Sequence, residues 1–367
     1  CCGSDVPGGS LAAEKAYRGT DNLNILIYYF KEGVYMKRMG ILLLTVLIFV
    51  SLVFTACGTK TKDKITLSEV TRSVFYAPQY AAINQGFFEE EGITLDLSTG
   101  QGADKVMTAV ISGQVDIGFS GPEACIYVYN EGKEDYAVVF AQLTKRDGSF
   151  LVGREPEPDF RWENLGDKYI IGGRKGGVPE MTLEYVLRKH GLVPNVDLTV
   201  DTSVQFAVMA GAFTGGTGDY VTLFEPTATM LEKEGKGYVL ASIGQDSGEI
   251  PYTAYYAKKS FIEKNKDLIQ RFTNAIYKGQ QWVDSHSPRE IAEAVKDFFP
   301  DTDIDTLENV AKRYKEIDAW NKDPILKEHS LELLQVVMEE AGELTKRAPY
   351  DKIVTTEFAE KAVQNIK

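Results

Sequence analysis

The stretch Ala103–Phe119, ADKVMTAVISGQVDIGF, decides the fold, because it contains a helix, a glycine and a strand in immediate succession. Apolar residues at the spacing of one helix face predict a helix over 103–112. They are Val106, Met107, Val110 and Ile111. Gly113 is the expected end of this helix, and 115–119 is predicted to be a short strand. A helix that passes directly into a strand is typical of an α/β fold.

The same alternation of strands and helices extends in both directions from this stretch. The predicted strands are 65–70, 92–97, 115–119, 137–143, 169–172, 198–201, 220–224 and 237–243. The predicted helices among them are 77–84, 103–112, 122–129, 179–190, 203–213 with Ser203 as its cap, and 226–234. Repeats of this length predict βαβ units and parallel sheets. The pattern restarts after a loop that contains Pro156 and Pro158, so we expect two lobes.

The remainder of the chain, 259–367, is predicted to be mostly helical. Its amphipathic stretches are 261–283, 291–298, 305–317, 331–338 and 355–366. Asp301, Asp303 and Asp305 imitate the start of a calcium loop, but the glycine and the final glutamate of such a loop are missing. We interpret these residues as a helix start that Asp305 caps together with Glu308.

The composition indicates an acidic globular protein. The 367 residues carry a formal net charge of −13, and 44% of them are hydrophobic. A surface this acidic argues against a nucleic-acid partner and against a polybasic membrane patch, since both need cations. The cysteines are Cys1, Cys2, Cys57 and Cys125, which form no disulfide or zinc pattern. We therefore expect no metal and no cofactor, and we expect Cys125 to be a small buried residue.

The segment 36–58, MKRMGILLLTVLIFVSLVFTACG, is typical of the export signal of a bacterial lipoprotein. Lys37 and Arg38 form a basic start, and the apolar run 41–54 follows them. A bilayer span needs about 20 apolar residues, so this run favours a signal peptide. The alternative is an anchor helix that is not removed.

The end of this segment predicts a lipid anchor. Residues 54–57, Phe-Thr-Ala-Cys, resemble the lipobox, in which a lipid is attached to the cysteine, although Phe54 stands where leucine is usual. We expect a signal peptide over 36–56, a lipid on Cys57 and a short tether over 57–63. These features predict a protein held on the outer face of the cytoplasmic membrane.

Residues 1–35 precede this signal, and we expect them to be an upstream extension that is not translated. The pentapeptide 31–35, KEGVY, can be encoded by a purine-rich stretch of the kind that lies before a bacterial start codon. The alternative is a genuine extension without structure. N-terminal sequencing checks this expectation, and peptides from 1–35 would contradict it.

Several segments in order resemble the substrate-binding proteins of nitrate, sulfonate, taurine and pyrimidine-precursor ABC importers. They are 80–93 (YAAINQGFFEEEGI), 107–118 (MTAVISGQVDIG), 219–226 (DYVTLFEP) and 320–342. The resemblance implies a two-lobed periplasmic-binding-protein-like fold of type 2, joined by two crossover strands, with a mostly helical C-terminal part. It implies one lobe of 64–148 with 250–367 and another of 149–249. It also implies a monomer that binds a small molecule between the lobes and docks on the permease of an ABC transporter with its ATPase.

Loops that leave the predicted strands supply the candidate ligand-binding residues, because ligands of open parallel sheets bind at the carboxyl ends of strands. The candidates are Ser73, Phe75, Tyr76, Gln101, Ser120, Gly121, Arg174, Gly176, Gly177, Val178, Asp219, Tyr220 and Glu225. Phe75 and Tyr76 could instead pack in a lobe core. The loop of Arg174 could be a solvated glycine-rich turn, and Glu225 could cap the helix after it.

The candidate residues favour two kinds of ligand. Arg72, Arg174 and Lys175 favour a sulfonate such as taurine, nitrate or a carboxylate. The aromatic rings at 75, 76 and 220, together with Glu225, favour an aromatic amine such as a thiamine pyrimidine precursor. Of these, the sequence favours a small organic sulfonate or nitrogen compound as the ligand.

Two other classes of protein compete with this interpretation. One is an enzyme that resembles the yeast pyrimidine-precursor synthase, whose chemistry consumes histidine and uses iron. His190, His286 and His329 all lie in helical contexts away from the candidate loops, and no catalytic triad is evident, so we expect that the protein is not an enzyme. The other class is an extracellular ligand sensor.

Overall fold

A computed structural model describes Tyr28 and residues 62–366 of the chain. The expected signal peptide 36–56, Cys57 and most of the expected upstream extension lie outside the described residues. Among the described residues, no helix is long and apolar enough to cross a bilayer.

The first of two sheets contains five strands. They are β1 (Asp63–Glu69), β2 (Ile93–Thr99), β3 (Ile117–Ser120), β4 (Ala137–Thr144) and β10 (Thr253–Lys258). Their order is β2-β1-β3-β10-β4, with β1 parallel to β2 and β3 and with β10 antiparallel to β3 and β4. Leu67 of β1 pairs with Leu97 on one side and with Ile117 on the other. The carboxyl ends of the three parallel strands therefore meet at one edge.

The second sheet also contains five strands. They are β5 (Ser149–Gly153), β6 (Tyr169–Ile171), β7 (Thr199–Asp201), β8 (Tyr220–Phe224) and β9 (Tyr238–Ser242). Their order is β7-β6-β8-β5-β9, with β6 parallel to β7 and β8 and with β5 antiparallel to β8 and β9. We propose that the two sheets are the centres of the predicted lobes, 64–148 with 250–367 and 149–249.

The chain crosses between the sheets twice, and the two crossings touch each other. It leaves the first sheet after Thr144 to form β5, and it returns at Thr253 to form β10. The hydroxyl groups of Thr144 and Thr253 are 2.6 Å apart, and the Thr253 N–H donates to Thr144 Oγ1. The strands β5 and β10 were not among the predicted strands, although the family resemblance implies two crossover strands.

A fully buried carboxyl group lies at the first crossing. Asp147 Oδ1 accepts hydrogen bonds from the N–H and hydroxyl groups of Ser149, each at 2.6 Å. Burial raises the pKa of Asp147 to about 7, and the Ser149 hydrogen bonds oppose this rise. The folded protein therefore binds a proton that the unfolded chain releases at a lower pH.

The raised pKa of Asp147 predicts that the free energy of unfolding depends on pH. A raised folded-state pKa contributes stability that is complete below the unfolded pKa and is lost as the pH rises through about 7. We expect this group to lower the free energy of unfolding by about 2 kcal/mol between pH 5.5 and pH 8. Urea unfolding of the protein and of Asp147→Asn across this range measures the difference in slope. Asp305→Asn, an exposed control, should keep the original slope, and an equal slope for Asp147→Asn would contradict the prediction.

Helices cover both sheets and form most of the C-terminal part. The helices up to residue 247 are α1 (Ala77–Asn84), α2 (Phe87–Glu90), α3 (Ala103–Ser112), α4 (Glu123–Asn130), α5 (Val178–Lys189), α6 (Met209–Thr214), α7 (Thr227–Lys233) and α8 (Ile243–Ser247). The others are α9 (Lys259–Lys264), α10 (Lys266–Ser285), α11 (Pro288–Val295), α12 (Ile304–Glu316), α13 (Glu328–Glu340), α14 (Tyr350–Ile353) and α15 (Glu357–Asn365). The predicted helices 77–84 and 103–112 and the predicted strand 220–224 have the predicted bounds.

Two predicted helix caps are wrong. The segment after Ser203 is not helical until a 3-10 turn at Phe206–Val208, and the Ser203 N–H donates to Asp201 Oδ1 instead of starting a helix. Asp303, not Asp305, caps α12, because its side chain accepts hydrogen bonds from the Thr306 N–H and hydroxyl groups. Local sequence does not distinguish which of several neighbouring aspartates will adopt the extended backbone of a cap.

The largest core belongs mainly to the first sheet, but it also contains Phe150 of β5. A large cluster of buried residues joins the first sheet to the C-terminal helices and includes Phe119, Tyr255, Phe272 and Leu334. The second sheet has a smaller cluster on each face, because consecutive strand residues point to opposite sides. Leu151 and Val152 belong to different clusters for this reason. Cys125 is buried and unpaired in the large cluster, which confirms the prediction for it.

Candidate ligand-binding cleft

A cleft lies between the loops at the carboxyl ends of strands from both sheets. Its lining from the first sheet and the loops after its strands includes Val70, Thr71, Tyr76, Gln101, Gly102, Asp104, Lys105, Gly121 and Glu123. Its lining from the second sheet and its loops includes Gly172, Gly173, Arg174, Gly177, Val178, Gln205, Phe206, Met209, Thr222 and Phe224. Tyr252 and Thr253, at the second crossing, complete it. This is the position that ligands take in open α/β folds.

One wall of the cleft is aromatic. Tyr76, Phe206, Phe224 and Tyr252 line it, and the Phe206 and Phe224 ring centroids are 5.7 Å apart. Phe75 lies beneath this wall and is fully buried, with its ring centroid 5.6–5.9 Å from those of Tyr76, Phe224 and Tyr252. Packed rings of this kind present rigid apolar faces to a planar ligand.

The cleft lining also contains a buried carboxyl group. Glu123 is only 2% exposed, and its Oε2 has no hydrogen-bond partner among the described residues. Burial raises the pKa of Glu123 to about 7. Arg174 and the backbone N–H groups of Glu123, Ala124 and Val178 oppose this rise, because they stabilise the negative charge.

Arg174 supplies a positive charge at the edge of the cleft. Its side chain is 42% exposed, and its Nε lies 3.7 Å from Asp104 Oδ1. Its Nη1 donates to the Lys175 carbonyl oxygen at 3.1 Å. Arg174 therefore faces carboxylates on Glu123 and Asp104, so its charge is partly neutralised before any ligand arrives. Among the described residues, no group of three or more acidic, histidine or cysteine side chains could hold a metal ion.

The structure brings part of the predicted set together. The predicted residues that line the cleft are Tyr76, Gln101, Gly121, Arg174, Gly177 and Val178. They come from four different loops, as expected for residues at the carboxyl ends of several strands. They remain our candidates for ligand contact.

The predicted residues near the first crossing serve the core instead. Ser73 donates to the Glu225 carbonyl oxygen at 2.7 Å and caps the short 3-10 turn that follows it. Phe75 is core, as the alternative for it stated. The fully buried Ser120 hydroxyl lies 2.6 Å from the Tyr256 hydroxyl, behind the cleft. These three residues do not line the cleft.

The remaining predicted residues are also placed elsewhere. Asp219 and Tyr220 stand at the start of β8, where Asp219 accepts from the Tyr169 N–H and the Tyr220 hydroxyl donates to Glu157. The residues of that strand that line the cleft are Thr222 and Phe224, toward its other end. Gly176 is occupied at both backbone groups, since its N–H donates to Glu180 and its carbonyl accepts from Tyr127.

Glu225 is a structural residue. Its carboxylate accepts from the N–H and hydroxyl groups of Thr229, which holds the start of α7, and it is paired with Arg313. These contacts agree with the alternative stated above, in which Glu225 caps the helix that follows it. Two cations named for anion binding are also engaged, since Arg72 pairs with Glu69 at 3.1 Å and Lys175 with Glu343 at 3.5 Å.

Sequence reasoning missed several residues that line the cleft. Glu123 stands two residues after the candidate residue Gly121, but the side chain of Glu123 itself was not considered. Phe224 ends a predicted strand and could have been found by the carboxyl-end rule. Phe206 and Met209 follow a loop that was predicted as helix, and Tyr252 precedes an unpredicted strand, so the sequence carried no signal for them.

Two α/β sheets joined by two crossings, with a cleft lined from both, define a two-lobed fold of the periplasmic-binding-protein kind. Residues 63–296 match the NMT1-like family, and the chain belongs to this family. This assignment confirms the resemblance that the sequence segments carry.

A relative and two solved structures support the assignment. A protein of Bacillus subtilis (strain 168) named "Putative binding protein YtlA" is 47% identical over 315 residues, which cover 86% of this chain and 94% of that protein. The nitrate-binding protein NrtA of Synechocystis PCC 6803 superposes with a TM-score of 0.65 at 16% identity, covering 84% of this chain and 90% of NrtA. The alkanesulfonate-binding protein SsuA of Xanthomonas axonopodis pv. citri gives 0.65 at 14% identity, covering 80% and 98%. These structures show that the fold is that of periplasmic binding proteins, as predicted.

Proposed function

We propose that the protein is a monomeric receptor that captures a small solute in the cleft and delivers it to an ABC permease and its ATPase. The observation that carries the proposal is the cleft itself, which takes its lining from loops of both sheets. Movement of one lobe against the other would enclose a ligand there and expose the closed form to a permease. The proposal assigns no catalytic step to the chain, in contrast to the alternative of a pyrimidine-precursor synthase.

The cleft favours a planar nitrogen compound as the ligand. Its lining contains the aromatic rings of Tyr76 and Phe224, and Glu123 adds a buried acceptor without a partner among the described residues. A flat heterocycle with an amino group matches both features. The small anion is a second candidate, because Arg174 lines the same cleft and two structures of this fold are named for binding nitrate and alkanesulfonate.

We further propose that a lipid on Cys57 holds the receptor at the outer face of the cytoplasmic membrane. Each buried CH₂ of an acyl chain contributes about 0.8 kcal/mol, and two or more chains give stable anchoring. Mass spectrometry of the membrane-bound protein checks the modification. An unmodified Cys57 in that protein would contradict the anchor without affecting the receptor.

A ligand should raise the thermal stability of the purified protein. A compound at 100 times its Kd stabilises the folded state by about 2.7 kcal/mol, which corresponds to roughly 5–10 °C for a protein of this size. A panel of taurine, alkanesulfonates, nitrate, bicarbonate, aminopyrimidines and riboflavin covers both candidate classes. A shift with one compound would establish a receptor, whereas no shift with any would favour the sensor alternative.

Substitution of Arg174 distinguishes the two ligand classes within this experiment. If the ligand is an anion, Arg174→Ala should remove most of its stabilising effect, because a charged hydrogen bond contributes about 1.5–3 kcal/mol. Lys175→Ala is the matched control, since Lys175 is the neighbouring cation, is 70% exposed and does not line the cleft. Unchanged affinity for an anion in Arg174→Ala would remove Arg174 from the site.

A further inference from the structure

Two helices from different sheets begin at the same side of the cleft. α4 starts at Glu123, after β3 of the first sheet, and α5 starts at Val178, after β6 of the second. Both starting residues line the cleft. The free N–H groups at a helix start attract negative charge, so two starts that face one space would ordinarily form a seat for an anionic ligand.

The side chain of Glu123 already occupies this space. A Cβ atom at Gly121 would lie 2.0 Å from Glu123 Oε2 and 2.9 Å from Val178 Cγ2. The glycine therefore leaves room for the carboxylate between the two helix starts. Any larger residue at position 121 would displace the carboxylate from it.

The groups around this carboxylate are of the kind that stabilise a bound anion. Backbone N–H groups of Glu123 and Ala124 in α4 and of Val178 in α5 stabilise its charge, and so does Arg174. An oxyanion ligand would need the same N–H groups and the same guanidinium. With Glu123 in place, that ligand would meet a buried negative charge at the point where it has to bind.

One oxygen of the carboxylate is left without a partner. Glu123 Oε2 has no hydrogen bond to any of the described residues, and the residue is 2% exposed. A buried acceptor without a donor costs free energy, and a ligand that brings an N–H group recovers it. The aromatic wall lines the same cleft as Glu123, so a flat ring that packs on this wall occupies the same space.

We propose that Glu123 determines the sign of the charge that the cleft accepts: its carboxylate takes the place of an oxyanion, and its Oε2 receives an N–H donor from the ligand. This inference rests on the proposed receptor function and names the ligand class within it. The ligand is a planar compound with an amino or amidinium group. Small oxyanions are excluded.

Two probes with the same ring and opposite charge test the proposal. Benzamidine carries an amidinium group, and benzenesulfonate carries an oxyanion of the excluded class. We expect calorimetric titration of the unaltered protein to show binding of benzamidine and a Kd for benzenesulfonate about tenfold weaker or more. In Glu123→Gln, we expect benzamidine to weaken and benzenesulfonate to tighten, each by about tenfold, because the amide removes the internal anion and keeps the shape.

Glu131→Gln is the matched control, since Glu131 stands at the other end of α4 from Glu123, its side chain is 58% exposed and it does not line the cleft. It changes the net charge as Glu123→Gln does, and it should alter either Kd by no more than about twofold. Melting of all three proteins without ligand verifies that each is folded.

The possible outcomes distinguish a failure of the role of Glu123 from a failure of the receptor function. Binding of benzenesulfonate as tight as that of benzamidine, or equal Kd values in Glu123→Gln and the unaltered protein, would overturn the role of Glu123 and leave the receptor intact. If neither probe nor any compound of the thermal panel binds the unaltered protein or the variants, both the role of Glu123 and the receptor function are overturned.

Discussion

Replacing Arg313 with alanine is expected to lower the free energy of unfolding by about 3 kcal/mol. Arg313 lies on α12 and reaches Glu225, whose side chain is fully buried at the end of β8. Its other nitrogen donates to Glu232 of α7 at 2.9 Å. Without the guanidinium, the Glu225 carboxylate keeps its Thr229 hydrogen bonds but becomes a buried charge with no cation, which is much costlier than the loss of an exposed pair.

Arg289→Ala is the control for this effect. Arg289 contacts Glu293, Asp305 and Glu308, but its side chain is 44% exposed, so its loss should cost less than about 1 kcal/mol. The double variant Glu225→Gln with Arg313→Ala should recover part of the loss, because the unpaired charge is gone. Equal costs for Arg313→Ala and Arg289→Ala in urea unfolding would contradict the prediction.

Replacing Gly279 with alanine is expected to cost about 3 kcal/mol. Gly279 lies in the middle of α10 where this helix crosses α1. A Cβ atom there would be 2.2 Å from the Pro78 carbonyl oxygen and 2.9 Å from the Ala82 Cβ. Both are rigid parts of α1, so the helices would have to separate, and close-packed cores resist such a shift.

Gly211→Ala is the matched control in another helix. A Cβ atom at Gly211 would meet nothing within 4 Å, and alanine is the better helix former, so the change should be neutral or stabilise by up to about 1 kcal/mol. Thermal melting of both variants measures the contrast. A Gly279→Ala protein as stable as Gly211→Ala would show that the crossing of α1 and α10 is loose.

Periodicity predicted much of the fold because helices and strands each bury one face. The stripe of Val106 and Val110 placed α3 with correct bounds, since both residues are fully buried as it requires. β5 and β10 are buried on both faces and show no alternation. β4 is buried in the same way but was predicted, because its apolar run is longer. The residues of β5 and β10 give no sign of where a chain leaves one sheet for another.

The site was predicted less completely, and for physical reasons. The rule that ligands bind at carboxyl ends of strands selected Arg174 and Gln101, but it does not apply to Asp219 and Tyr220, which stand at the start of β8. Glu225 does follow that strand, but its carboxylate forms an ion pair with Arg313, which is 88 residues away in the sequence. No local pattern shows a partner at that distance.

The order of strands in the first sheet also fixes the order in which the chain can fold during synthesis. β4 forms its backbone hydrogen bonds with β10, and β10 lies between β4 and β3 in the sheet. The contact between Thr144 and Thr253 joins residues that are 109 positions apart. When β4 leaves the ribosome its strand partner has not yet been made, and the whole second sheet must be synthesised before the first can close. Such a chain stays incompletely folded until late in translation. This delay is compatible with the export through a membrane that our proposal of a lipid on Cys57 requires.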